Sequence, residues 1–97
     1  MELTVSESRT SVKAIGERLA RLRAAKNLTQ VDLCKDMRID KAKYNNWERG
    51  RARIPPQEVE KLKRLFGVTS DWIYYDDASA LHPSLAKALR DTERKAG

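Results

Sequence analysis

Helix start and stop signals lie so close together along this chain that only short helices fit between them. Ser11, Thr29, Asp40 and Thr69 each precede an apolar-periodic stretch, where a side-chain oxygen accepts from a free N–H of the first turn. Asn27, Gly50 and Gly67 follow such stretches, where a residue tolerant of the left-handed conformation closes the helix. Pro55-Pro56 opens another, with Pro56 at the first helical position, where its missing N–H costs nothing. No stretch alternates strongly enough to predict a strand.

The apolar residues between these signals define the expected core. Ile15, Leu19 and Leu22 form a narrow helical stripe, with Leu28 folding back on it. After Thr29, with Asp32 at the positive end, a second helix buries Leu33, Cys34 and Met37. Beyond the break Arg38-Ile39-Asp40, a third turns Tyr44 and Trp47 inward and leads to a basic loop, Arg51-Ala52-Arg53. Val59, Leu62, Leu65 and Phe66 give the buried face of a fourth, and Trp72 and Ile73 the core residues of a fifth. Ser84–Lys95 makes one more, polar helix, with Pro83 at or just before its start. Residues 1–10 read as a flexible arm, although Leu3 and Val5 alternate like a short strand. The expected fold is all-α: five short helices and an appended C-terminal one. Ninety-seven residues suffice for one compact domain. It divides into an N-terminal arm (1–11), a helical domain (12–77) and a C-terminal helical extension (78–97).

Composition narrows the chemistry. No apolar run approaches the roughly 18 residues of a membrane span. The opening MELTVSESRT lacks the basic start and apolar stretch of a secretory signal. The single cysteine forms no internal disulfide, and no Cys/His cluster holds a metal. A cytoplasmic domain without cofactors is expected. No catalytic grouping of nucleophile, base and anion hole is present, so no enzyme is expected. Isolated reactive residues have plain readings: Cys34 as a small core residue, His82 as a loop residue and Asp76-Asp77 as a solvated turn. By spacing, Tyr44 and Trp47 belong to the core and do not stack on bases. Trp72 is expected in the core, with one of Tyr74 and Tyr75 exposed at an interface. Leu81, Leu85 and Leu89 form a thin stripe that either covers the body or pairs with a second subunit, and the second use is preferred.

Charge is unevenly distributed. Residues 1–11 carry one basic and two acidic side chains, a net of −1. Residues 12–53 carry twelve against five, a net of +7, and residues 54–97 carry seven of each. The whole excess lies in the first half, suggesting one face that meets a polyanion.

Two helices at 29–37 and 40–49, joined by a short turn, have the form of a helix-turn-helix. In that unit the first helix crosses the DNA backbone and the second lies in the major groove. Cys34 supplies the small residue at the crossing, while Ile39, Tyr44 and Trp47 hold the second helix to the body. Lys41, Ala42, Lys43, Asn45 and Asn46 are left facing outward. Asn pairs with adenine, Lys donates to guanine, and Ala meets a thymine methyl.

The run LTQVDLCKDMRIDKAKYNNWERGRARIPP resembles the lambda-repressor-like (Cro/CI, or XRE-family) helix-turn-helix domain. LFGVTSDWIYYDD resembles the fourth and fifth helices of the same domain, so the likeness spans about residues 13–77. The resemblance implies a five-helix lambda-repressor-like bundle. It implies that Gln30 bonds a phosphate and braces the recognition helix. Lys41, Ala42 and Asn46 fall at base-facing positions, with Lys43 and Asn45 nearer the groove edge. Arg51 and Arg53 fall in the phosphate-gripping loop, and Thr29 and Arg38 complete the expected phosphate set. Glu48 matches an acid that pairs structurally with an arginine of the first helix, for which Arg23 is best placed. Two departures are Arg38, where the family commonly has Gly, and Cys34, where it often has Ala. Positive φ at Arg38 costs roughly 1 kcal/mol, which the fold absorbs.

These features lead to the expectation of a sequence-specific binder of double-stranded DNA. One recognition helix reads too few base pairs to find a genomic site. A homodimer spaced at about 34 Å on a near-palindromic operator meets that need. Repression by occupying a promoter, in a bacterial or phage setting, is the simplest mechanism. Two alternatives stay open: an antitoxin whose 78–97 segment or N-terminal arm holds a toxin, and an adaptor that binds a transcription factor.

Overall fold

Side-chain caps set the helix starts in the computed structural model, which describes residues 8–96. Ser11 Oγ accepts from Ala14 N at 3.0 Å and opens α1 (Val12–Ala25). Thr29 Oγ1 accepts from Asp32 N at 3.1 Å at the head of α2 (Gln30–Met37). Asp40 Oδ2 accepts from Lys43 N at 3.2 Å before α3 (Lys41–Glu48). Pro55 and Pro56 start α4 (Pro56–Phe66), and Thr69 Oγ1 takes Trp72 N at 3.0 Å to start α5 (Ser70–Tyr75). Each side-chain cap contributes about 1 kcal/mol. The last helix, α6 (Pro83–Ala96), is introduced by His82, whose Nδ1 accepts from Ser84 N at 3.1 Å. His82 thus acts as a cap, with an imidazole nitrogen in place of the usual oxygen.

The described secondary structure is all helical, in agreement with the expected class. Residues 8–10 form a further helical stretch ahead of Ser11; Leu3 and Val5 lie outside the described residues. Left-handed residues close several helices: Asn27 (φ 57°), Arg38 (φ 58°), Gly67 (φ 79°) and Asp76 (φ 62°). At Arg38 the side chain is accommodated because Arg38 N donates to Lys35 O and Ile39 N to Cys34 O, satisfying the free carbonyls of α2.

The core gathers Ile15, Leu19 and Leu22 of α1 with Leu33, Cys34, Met37, Tyr44, Trp47, Val59, Leu62, Trp72 and Ile73. Leu65, expected on the buried face of α4, is 43% exposed. It lies about 100° round the helix from Phe66, at the flank of the stripe formed by Val59, Leu62 and Phe66. Leu81, Leu85 and Leu89 are buried in the chain's own core. Helix α6 packs on α1, and Arg21 donates to Leu89 O at 3.4 Å while its guanidinium lies 5.7 Å from the Trp72 ring. The leucine stripe therefore covers the body, and the preference for subunit pairing through it is corrected.

Long-range polar bonds close the helix ends. Lys61 Nζ donates to Met37 O at 2.9 Å, meeting a free carbonyl at the end of α2. Arg18 is buried on the apolar face of α1 and donates to Ile73 O (2.8 Å) and Arg9 O (2.6 Å). Burial lowers its pKa, although Asp76 and Glu17 act in the opposite direction.

The backbones of α1 and α3 approach closely at Gly16, where α1 crosses the end of α3. A Cβ there would stand 2.5 Å from the carbonyl oxygens of Trp47 and Glu48. Glycine in mid-helix costs about 0.5–1 kcal/mol relative to alanine, and this contact is the reason to accept it. Gly16→Ala is expected to lower stability by about 2 kcal/mol despite its better helix propensity, because the obstructing atoms are backbone. Urea unfolding of the two proteins measures this; an unchanged or raised midpoint would refute the crossing as described.

Candidate nucleic-acid interface

Helix α3 is amphipathic in the sense the sequence requires. Tyr44 and Trp47 are buried, with rings edge to face at 5.9 Å. Lys41, Ala42, Lys43 and Asn46 are exposed, and Asn45 is half-buried.

The helix is held by one carboxylate. Glu48 Oε2 accepts from Arg23 Nε at 2.7 Å and from the Tyr44 hydroxyl at 2.7 Å. Its Oε1 accepts from Arg23 Nη2 at 3.1 Å and from Gln30 Nε2 at 2.9 Å. The Arg23 contact is bidentate, the strong form of this pair. Arg23 Nη1 also donates to Leu28 O at 3.0 Å, so the network joins α1, the following turn, α2 and α3. The Glu48 side chain is only 8% exposed. Burial works against its charge, but the hydrogen bonds from Arg23, Tyr44 and Gln30 outweigh that and hold the carboxyl below its usual range. Burial, reinforced by the bond to Glu48, pushes the Tyr44 phenol well above its ordinary value, so it remains a donor.

Gln30 Nε2 also donates to Asn45 Oδ1 at 3.2 Å. Both N–H bonds of its amide are thus engaged inside the protein, and the side chain braces α3 from α2. A phosphate at this end of α2 would meet the Thr29 hydroxyl and first-turn backbone N–H groups instead of that amide. Asn45 keeps its own amide N–H groups free to donate outward.

The basic loop is fastened to α3. Arg51 N and Ala52 N donate to Asn46 O at 2.9 and 3.3 Å, which places Arg51 beside the exposed face. Gly50 permits the turn: its φ is 74°, and a Cβ would meet Lys13 Cα at 2.8 Å. Arg53 donates to Thr10 O at 3.3 Å yet remains exposed, as do Arg38, Arg49 and Arg51. Arg49, absent from the expected set, adds a further cation at the end of α3.

The start of α3 combines the Asp40 cap carboxylate, which suits the helix dipole, with two lysines that do not. Its first turn holds Lys41 and Lys43 and no acid, so two cations stand where the helix is already positive. Such placement disfavours the free fold by roughly 0.3–1 kcal/mol per charge and favours an approaching anion. Cys34 is buried, and burial raises its pKa, so it remains an unreactive thiol in the helix crossing. No group of three or more His, Cys, Asp or Glu among the described residues is placed to hold a metal. No described helix is long and apolar enough to cross a membrane.

Among known families, residues 14–71 match a helix-turn-helix domain. The chain belongs to this family. The match runs from α1 into α5, and it agrees with the lambda-repressor-like resemblance and with a DNA-binding regulator. No curated protein and no solved structure matches the chain.

Several working parts of this helix-turn-helix domain were not singled out by sequence reasoning. Gly16 carried a signal, a glycine inside a helical stripe. So did Arg18, a charge on the stripe of Ile15, Leu19 and Leu22. The Tyr44 hydroxyl carried one too, since Tyr44 and Glu48 stand four apart on one helix; the resemblance implied the Gln30 brace, and only its Asn45 partner depends on how α2 and α3 cross.

The sign of the Glu48 shift fixes a pH dependence. A carboxyl whose folded pKa is depressed adds stability above its unfolded value, near 4.5, and loses it as pH falls through the folded value. Glu48→Gln is expected to cost roughly 2–3 kcal/mol near neutral pH and to flatten the stability profile at acid pH. Denaturant midpoints across pH for both proteins test this; equal acid slopes would show that Glu48 is not the titrating group.

Proposed function

We propose that this protein is a sequence-specific regulator of transcription that binds double-stranded DNA as a homodimer and represses by occupying a near-palindromic operator. The observation that carries the reading is the exposed face of α3. Lys41 and Lys43 stand there beside Ala42 and Asn46, with Arg38 and Arg51 exposed at either end. Such a face offers cations to phosphates and amide donors to base edges.

Each residue then has a role. Lys41, Ala42 and Asn46 read base edges, and Lys43 and Asn45 donate at the groove edge. Thr29, Arg38, Arg51 and Arg53 grip phosphates on both sides, supported by the first-turn N–H groups at Gln30. Tyr44, Trp47 and the Glu48 network keep α3 from rotating, so the reading face retains one register.

Selection of duplexes from a random pool is expected to enrich a two-fold-symmetric site. Failure to enrich any sequence with folded protein would reject sequence reading. On the selected site, Asn46→Ala is expected to lose about 1–3 kcal/mol and relax one base position. Arg51→Ala is expected to weaken all duplexes alike and reduce the salt slope by about one. Equal loss for Asn46→Ala on random DNA would remove it from the base readers.

A further inference from the structure

We infer that the Glu48 carboxylate, acting through Gln30, sets the base that Asn45 accepts, so that Asn45 selects guanine over adenine. This deepens the DNA-binding reading proposed above and rests on it. The two residues are joined by a chain of hydrogen bonds that runs in one direction only. Arg23 and the Tyr44 hydroxyl donate to Glu48, and an ionised carboxylate has no proton to donate onward. Glu48 Oε1 therefore takes an N–H of Gln30, at 2.9 Å, and would repel the Gln30 carbonyl oxygen in its place. This fixes the Gln30 amide with its nitrogen inward, and the second N–H reaches Asn45 at 3.2 Å. Only the Asn45 oxygen accepts it. Turning the Asn45 amide over would set N–H against N–H at a half-buried site and leave the Gln30 donor unmet.

An asparagine at the end of such a chain offers the groove donors and no free carbonyl oxygen. Adenine needs both halves of the amide, because its N6–H2 donates while its N7 accepts. Guanine presents N7 and O6 side by side, both acceptors, and suits a side chain that only donates. Thymine offers the single acceptor O4, and cytosine presents a donor. Asn45 stands one helical turn from Lys41, itself a donor only, so the pair favours acceptor-rich edges together. Asn46 is exposed and lies outside the chain from Glu48, so both halves of its amide serve for adenine. Two adjacent asparagines are thereby assigned different bases, and the buried network makes the difference.

The test is selection of duplexes from a random pool by the wild type and three variants, each first shown to melt cooperatively. Asn45→Ala identifies the base column that depends on this residue, as the one whose preference disappears. In the wild type that column is expected to be guanine, favoured over adenine by about fivefold or more. Asn45→Asp keeps an oxygen for Gln30 but turns an acceptor toward the groove, and the column is expected to change to cytosine. Gln30→Met removes the donor and frees the Asn45 amide to turn over. It is expected to bring adenine within about twofold of guanine at that column alone, whereas a merely structural loss would weaken all columns together. An adenine column in the wild type, no column lost in Asn45→Ala, or guanine retained by Gln30→Met would overturn this inference while sequence reading stands. No enriched duplex at all would bring down the DNA-binding reading and this inference with it. In the free protein, the side-chain amide protons of Gln30 are expected to exchange with water more slowly than those of Asn45. The reverse order, measured by NMR, would overturn the direction of the chain itself.

Discussion

The carboxylate of Glu48 is the point on which the helix-turn-helix depends. Four donors from three helices converge on its two oxygens, and no other group in the unit has comparable reach. A charge so enclosed is stable only when its hydrogen bonds are complete. Its partners are accordingly not interchangeable. Arg23 supplies the charge and a planar fork, Tyr44 a hydroxyl from the same helix, and Gln30 an amide from the neighbouring one. Removing any of them exposes the others to an unmet buried polar group. The network therefore gives α3 one orientation against the body.

Close packing completes what the carboxylate begins. Gly16 lets the backbone of α1 touch the last carbonyls of α3, so the end of α3 cannot slide. Gly50 then turns the chain against Lys13 and delivers the basic loop to the same side. Lys61 and Arg18 close carbonyls at the ends of α2 and α5, where short helices would otherwise leave them to solvent. In a fold made of such short helices, end effects are a large share of the energy, and four of the helix starts are answered by a Ser, Thr or Asp side chain. The rigid scaffold lets the exposed face of α3 carry unfavourable charge.

The surfaces divide in the same way. One side of the body is covered by α6, whose Leu85 and Leu89, with Leu81 just ahead of the helix, extend the core. Tyr75 and the two prolines remain uncovered on another side, next to the basic loop.

Local chemistry made much of this legible in the sequence. The caps at Ser11, Thr29, Asp40 and Thr69, the left-handed Asn27, and the inward Tyr44 and Trp47 depend only on near neighbours and helical period, whereas the left-handed Arg38 was implied by the family resemblance. From them follow the helix boundaries, the all-α class and the outward set on α3. Other features depend on which helix meets which. Gly16 matters because α3 passes over it, Gln30 turns inward because Glu48 and Asn45 lie within reach, and Leu65 is exposed because nothing packs over the flank of α4. The leucines of α6 had two possible uses in the sequence, and only docking on α1 chose between them. The chain by itself determined where its helices begin, end and turn their apolar sides. The tertiary structure alone decided which polar groups face each other, because hydrogen bonds between distant residues exist only after the helices have packed.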